Sequence, residues 1–247
     1  WRRRADLAQL PRKQENPMAT FVVLAGATAA GWYMRPLATR LRRAGHEVYT
    51  PTYTGLGERS HLLTRDIDLE TYILDVLQVF HYEDLHDVIL VGKSFSGMVI
   101  TGVADRIPER IGQLVYLDAA MPDAGQAAVD LLAPEVVAMA KELVQSYGDG
   151  WLIPADPSVD QRLSPQPLRT FEQPLHLHNH AARTALPTSY IFCANKPADS
   201  MVTHMTHDGR QKAQSRGWRT FELPTDHEPE REAPDELAAI LLSLAHG

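Results

Sequence analysis

The sequence predicts an α/β architecture, a mostly parallel, doubly wound sheet with a helical and loop insertion capping it. Three observations carry this. Apolar, β-branched runs alternate with stretches of helical periodicity from residue 21 to residue 118. One run, Asp87-Val88-Ile89-Leu90-Val91-Gly92-Lys93, turns within two residues into the helix-compatible Ser96-Gly97-Met98-Val99-Ile100. The alternation stops near Pro122 and resumes at Thr188.

Phe21-Val22-Val23-Leu24-Ala25 reads as a buried strand, and Gly26 to Gly31 as a loop of small residues. A helix is expected over residues 33–44, with Leu37 and Leu41 on one face. A second strand, Gly45 to Thr50, and a second helix over 69–80 follow, the helix carrying Leu69, Ile73, Val76, Leu77 and Phe80 at helical spacing. The strand ending at Ser94 comes next, then its helix, then a strand over 113–118. Residues 122–187 hold many prolines and one helix candidate near 135–146, and are read as a cap. Beyond them come a strand at 188–193, a helix near 202–216, a strand at 218–223 and a closing amphipathic helix at 234–245. The expected division is a flexible leader over 1–17, a core of 18–121 with 188–247, and a cap of 122–187. The leader is basic and polar and precedes Met18, the expected natural start.

Length and composition narrow the function. The 247 residues are 44% hydrophobic and 22% charged, enough for one substantial core. A formal charge of -7 disfavours a general phosphate-binding or anionic-membrane surface. No apolar run reaches the roughly 18–20 residues of a membrane helix, and Cys193 is the only cysteine, so neither an internal disulfide nor a cysteine-based zinc site can form. A cytoplasmic protein with a small-molecule partner, no nucleic acid, no membrane and no cofactor is expected, with a homodimer left open. His176, His178 and His180 alternate and on a strand would share a face, but no acidic residue sits beside them in sequence. A polar edge of the cap is expected there, and no metal.

Chemistry concentrates at the sharp turn. A strand-to-helix corner this tight needs small flanking residues and pushes its tip residue, Ser94, into the open at the helix N-terminus. The N–H of Phe95 faces the same space, and Ala27 in the first post-strand loop is the expected second oxyanion donor. In a doubly wound sheet the loops beyond the strands' carboxyl ends share one crevice. Two of these loops carry Asp199 and Asp226-His227-Glu228-Pro229. Serine, acid, histidine in that order is the arrangement a nucleophile elbow needs. Ser94 attacks, His227 moves the proton, and Asp199 orients the imidazole, with Asp226 as the rival acid.

These residues, together with Gly45-His46-Glu47-Val48, Thr54-Gly55-Leu56-Gly57-Glu58-Arg59-Ser60 and Leu117-Asp118-Ala119-Ala120-Met121-Pro122-Asp123, resemble the α/β-hydrolase superfamily. The resemblance is to the branch of plant methylesterases, hydroxynitrile lyases and small bacterial esterase-like hydrolases, and runs from about residue 20 to 244. It implies the α/β-hydrolase fold. It also favours Asp199, since in that branch the acid precedes the catalytic histidine by 28 residues, the separation of Asp199 from His227. The chain departs from the branch at Ala25-Gly26, where relatives carry His-Gly, and at Gly92-Lys93-Ser94-Phe95-Ser96-Gly97, where they carry Gly-His-Ser-x-Gly-Gly. Hydroxynitrile lyases place an acid before the serine and a lysine after the histidine; here Lys93 and Glu228 exchange those signs. Lys93 and Glu228 are therefore expected to face each other and tune the charge beside the site.

The reading is a serine-dependent carboxylesterase-type hydrolase that cleaves an ester or lactone of a small, largely apolar substrate through an acyl-enzyme. The alternative is a non-hydrolytic lyase or cyclase of bacterial secondary metabolism, with His227 as base and Lys93 supporting an anion. A third reading is a ligand-binding protein without turnover.

Overall fold

A computed structural model describes residues 18–197 and 200–245, so the expected leader over 1–17 lies outside the described residues. The chain runs β1 (Thr20–Leu24), α1 (Arg35–Arg43), β2 (Glu47–Tyr49), α2 (Leu69–Tyr82), β3 (Val88–Lys93), α3 (Ser96–Arg106) and β4 (Ile111–Leu117). It continues through α4 (Pro134–Tyr147), β5 (Leu152–Ile153), β6 (Gln166–Pro167), α5 (Arg169–Glu172) and α6 (His180–Thr184). It closes with β7 (Thr188–Cys193), α7 (Thr203–Ser215), β8 (Arg219–Leu223), α8 (Pro229–Glu232) and α9 (Pro234–Leu244).

Six strands form one parallel sheet in the order β2-β1-β3-β4-β7-β8. Parallel strands buried on both faces read as continuous apolar runs, and every residue of β3 is buried. Val22, Leu24, Leu90 and Tyr190 point into a core shared with α2, α3 and α7. Phe21, Val23, Val91 and Ile191 point to the opposite face, where Leu37 and Leu41 of α1 meet Leu237 and Leu241 of α9. The sheet is thus doubly wound, as expected. The order reverses at β1, whose neighbours are β2 and β3, and a crevice opens beyond the carboxyl ends at such a switch point.

Register decides which residues meet in that crevice. Leu24 pairs with Gly92, Lys93 with Leu117, Leu117 with Ile191 and Cys193 with Leu223. The ladder runs on past the strand ends, because Ser94 N donates to Leu117 O at 3.1 Å and Asp118 N to Ile191 O at 2.7 Å. Ser94 and Asp118, each the first residue beyond its strand, therefore stand side by side. Both adopt positive φ, 55° and 44°, at a cost of about 1–2 kcal/mol for a residue with a Cβ. Such strain persists where the surroundings over-determine it.

Two glycines let α3 close on the sheet. A Cβ on Gly92 would come within 2.7 Å of Ser96 O, and one on Gly97 within 2.0 Å of Ala120 O. The motif's last glycine is thus Gly97, and Ser96 takes the position before it.

One local expectation differs. The first helix begins as a 3-10 turn, Gly31–Met34, and becomes α-helical only at Arg35, with Pro36 in its first turn where a missing N–H costs nothing. The histidine-rich segment is not a strand, since residues 174–179 are irregular and His180 opens α6. The N–H groups of His178 and Asn179 go instead to the buried Asp105 carboxylate, at 2.7 and 3.0 Å.

Candidate active site

Ser94, Phe95, Ala27, His227, Lys93 and Glu228, the six expected site residues among those described, all line one cavity of about 300 Å³. Its floor is the carboxyl edge of the sheet, and its walls come mainly from residues 128–171 and from Met201, Val202 and Met205. Val136, Val137 and Ala140 of α4 and the stacked pair Phe95–Phe171, with ring centres 4.6 Å apart, make the walls apolar.

Among the described residues, the acid beside the histidine ring is Asp118. His227 Nδ1 pairs with Asp118 Oδ2 at 2.7 Å, and Asp118 is fully buried at the end of β4. Asp199 lies outside the described residues. The rival Asp226 accepts a hydrogen bond from the backbone N–H of His227 at 2.6 Å, so that carboxylate serves the chain rather than the ring. With Nδ1 taken by Asp118, Nε2 of His227 is buried and has no hydrogen-bond partner among the described residues.

Asp118 collects four donor contacts. Oδ1 accepts from Cys193 N at 3.2 Å and from Lys196 Nζ at 2.8 Å; Oδ2 accepts from Lys196 Nζ at 2.9 Å and faces His227. Burial alone would raise its pKa, but the hydrogen bond and charge of His227 and then those of Lys196 outweigh burial and lower it. It is a carboxylate at neutral pH. Burial, followed by the Asp118 charge, pushes the neighbouring Cys193 thiol up to about 12, which removes it as a nucleophile.

The candidate oxyanion loop is pinned from both sides. Ser96 Oγ donates to Ala25 O and bonds Tyr53 Oη at 2.6 Å. Thr28 N donates to Gln166 Oε1 at 2.8 Å, and Ser164 N to Thr28 O at 2.9 Å. Gly26 lies so close to the nucleophile candidate that a Cβ there would stand 3.2 Å from Ser94 Cβ. Neither Ala27 N nor Phe95 N has a backbone acceptor among the described residues, as donors reserved for a ligand require. Two of the three departures from the family pattern, Ala25 and Ser96, thus meet in one hydrogen bond.

Lys93 faces Glu228 as expected, with Nζ 2.8 Å from Oε2, but a second acid was missed. Glu230 Oε1 lies 2.6 Å from the same ammonium. Lys93 is 3% exposed and Glu230 fully buried, with the Tyr33 ring centre 5.3 Å from Nζ. Burial would lower the lysine pKa, but the charges of Glu230 and Glu228 raise it, so the ammonium stays charged. One cation shared by two carboxylates leaves Glu230 the loser. Burial, reinforced by the Glu228 charge, raises it to about 7 from 4.5.

A carboxyl whose folded pKa is raised binds more protons than the unfolded chain, so its stabilising effect is full below about 4.5 and lost as pH rises through about 7. Glu230→Gln is expected to abolish that loss. Melting curves at pH 5 and pH 8 test this: relative to wild type, the variant gains a few degrees at pH 8 over its value at pH 5. An equal difference at both pH values refutes it.

Residues 21–240 match the alpha/beta hydrolase family over nearly the whole chain. The chain belongs to that family. This hydrolase is 39% identical, over 92% of its own length and 100% of the relative's, to the carbendazim hydrolyzing esterase of Nocardioides sp. (strain SG-4G). It is 28% identical over 53% of its length to putative methylesterase 14, chloroplastic, of Arabidopsis thaliana, matching 39% of that protein. Among solved structures, an extracellular alpha/beta-hydrolase from a Paenibacillus species, described as sharing structural and functional homology with tobacco salicylic acid binding protein 2, superposes with a TM-score of 0.77. That match has 25% identity and covers 92% of this chain and 98% of the other. The protein is an esterase-type hydrolase. No helix among the described residues is long and apolar enough to cross a membrane.

Proposed function

We propose that this hydrolase cleaves an ester or carbamate of a small, largely apolar substrate through an acyl-enzyme on Ser94, with His227 as general base and acid and Asp118 as the orienting acid. The observation that carries the reading is the 2.7 Å Asp118–His227 bond, which leaves Nε2 buried and, among the described residues, unpartnered on the cavity that Ser94 also lines.

The steps follow from that arrangement. Ser94 Oγ adds to the carbonyl carbon while its proton passes to His227 Nε2, and Asp118 supports the imidazolium that forms. The negative charge on the former carbonyl oxygen falls to the N–H groups of Phe95 and Ala27, each worth about 10²–10³ in rate in comparable oxyanion holes. The imidazolium protonates the leaving alcohol or amine, and water, activated by the same imidazole, releases the acid from Ser94. The apolar cavity suits an aromatic or alkyl substituent, and the 39% identity to a carbendazim hydrolyzing esterase makes methyl carbamates of aromatic amines the first substrates to try.

Lys93 is matched by two carboxylates, so its charge is largely offset within the protein rather than held for a substrate anion. That offset argues against the lyase or cyclase alternative, which relies on Lys93 to support an anion. Turnover of p-nitrophenyl butyrate and of carbendazim, run in water enriched in oxygen-18, tests the reading. Butyrate carrying one heavy oxygen is expected; consumption of substrate without heavy oxygen in the acid product contradicts hydrolysis.

A further inference from the structure

Among its described residues, the loop after β7 brings a cation to the site. Lys196 Nζ contacts Oδ1 and Oδ2 of Asp118 at 2.8 and 2.9 Å and also donates to Cys193 O. Those three acceptors use the three hydrogens of the ammonium. Its side chain is 3% exposed, and Nζ lies 4.1 Å from the Phe192 ring centre. A merely structural ion pair has no reason to share the oxygen that the histidine uses, and this one does, because Oδ2 faces both Nζ and His227 Nδ1.

We propose that Lys196 is a positioning residue of the catalytic relay: it clamps both oxygens of Asp118, aims Oδ2 at Nδ1 of His227, and offsets the charge that Asp118 presents to the imidazole. The inference rests on the Ser94, His227 and Asp118 roles given above.

Its consequence is electrostatic. With neutral imidazole, Asp118 and Lys196 sum to zero; when His227 takes the serine proton the trio carries one positive charge. Lys196 Nζ and His227 Nδ1 contact the same carboxylate oxygen, at 2.9 and 2.7 Å, so the ammonium stands close to the positive charge that forms on the ring and repels it. It favours the neutral base and lets the enzyme work further into acid.

Among the described residues, the titratable groups near His227 or on the cavity it lines include Lys93 from β3, Cys193 from β7, Asp226 and Glu228 from its own loop, Glu230 from α8, and Tyr33, Lys141 and Asp156 on the cavity wall. Among the described residues only Asp118 has a hydrogen bond to the ring, and Lys93 is already matched by Glu228 and Glu230. Removing Lys196 leaves all of these in place.

The experiment is the pH dependence of kcat/KM for wild type, Lys196→Met and Lys196→Arg with p-nitrophenyl butyrate. In Lys196→Met the acid limb is expected to move to higher pH by about one unit or more, and in Lys196→Arg to stay near wild type. A structural role alone would lower kcat without moving the limb, so an unmoved limb in Lys196→Met overturns the proposal. Should that variant fail to fold, nitrogen-15 NMR of the wild-type lysine ammonium groups decides. The Lys196 resonance is expected to shift with the midpoint that governs the acid limb, and its insensitivity to that midpoint overturns the proposal. The two readings fail separately, since absent heavy oxygen in the product indicts the hydrolytic roles, whereas an unmoved limb in an active hydrolase indicts Lys196 alone.

Discussion

Asp118→Asn is expected to lower kcat by about 10⁴-fold, the loss typical when the orienting aspartate of a serine triad becomes an amide. Asparagine keeps the shape of the side chain but can present an N–H where the imidazole Nδ1–H must donate, which favours the wrong tautomer. The change also strands the Lys196 ammonium, nearly buried and deprived of its carboxylate, and breaking a buried pair by removing one partner costs about 3–5 kcal/mol. A lower melting temperature should therefore accompany the lost rate. Asp199→Asn is expected to leave kcat within a few-fold of wild type, because the single hydrogen on Nδ1 is already taken by Asp118. Steady-state kinetics of the two variants side by side distinguishes the acids.

Ser94→Ala carries the largest expected effect on turnover, about 10⁶-fold in kcat, the scale found when a serine nucleophile is deleted from an intact relay. Substrate binding should survive, since the apolar walls and the Phe95 and Ala27 N–H groups are untouched. KM is thus expected to change little. Stability should also hold, because alanine inherits the same backbone at φ 55° and removes one hydroxyl only. Kinetics with a melting curve checks both halves: a large loss of rate in a protein that melts like wild type. A variant retaining a tenth of the activity would remove Ser94 from the chemistry.

Most of the scaffold was legible because its signals are local. Phe21 to Leu24, Val88 to Val91 and Tyr190 to Cys193 are apolar runs bounded by turn residues, and buried parallel strands need nothing more to be recognised. The elbow was legible for the same reason, since Gly92, Ser94 and Gly97 are set by contacts within a few residues and with Ala120. The pairing of Lys93 with Glu228, 135 residues apart, was legible only through the exchanged charges of the resemblance.

The acid depended on what a sequence does not display. Spacing and chain order favoured Asp199, whereas the position of Asp118 follows from strand register, Lys93 opposite Leu117 and Leu117 opposite Ile191, which carries the residue after β4 to the histidine. One signal was present. Asp118 follows an apolar strand directly, as Ser94 nearly does, inside a motif that the resemblance had already marked. Lys196 and Glu230 gave no such signal, because nothing in Asn195-Lys196-Pro197 or Pro229-Glu230-Arg231 announces a side chain withdrawn from water. Burial of charge is a tertiary outcome, tolerated here because each group finds opposite partners.

The account stands or falls on the covalent intermediate. The measurement is intact-protein mass followed by peptide mapping, after the purified hydrolase is quenched during turnover of p-nitrophenyl butyrate or treated with an alkylphosphonate ester. The expected result is one adduct per chain, of butyryl or phosphonyl mass, on the peptide containing Ser94, and none in Ser94→Ala. An adduct on another residue, or full phosphonate inhibition that persists in Ser94→Ala, would contradict it.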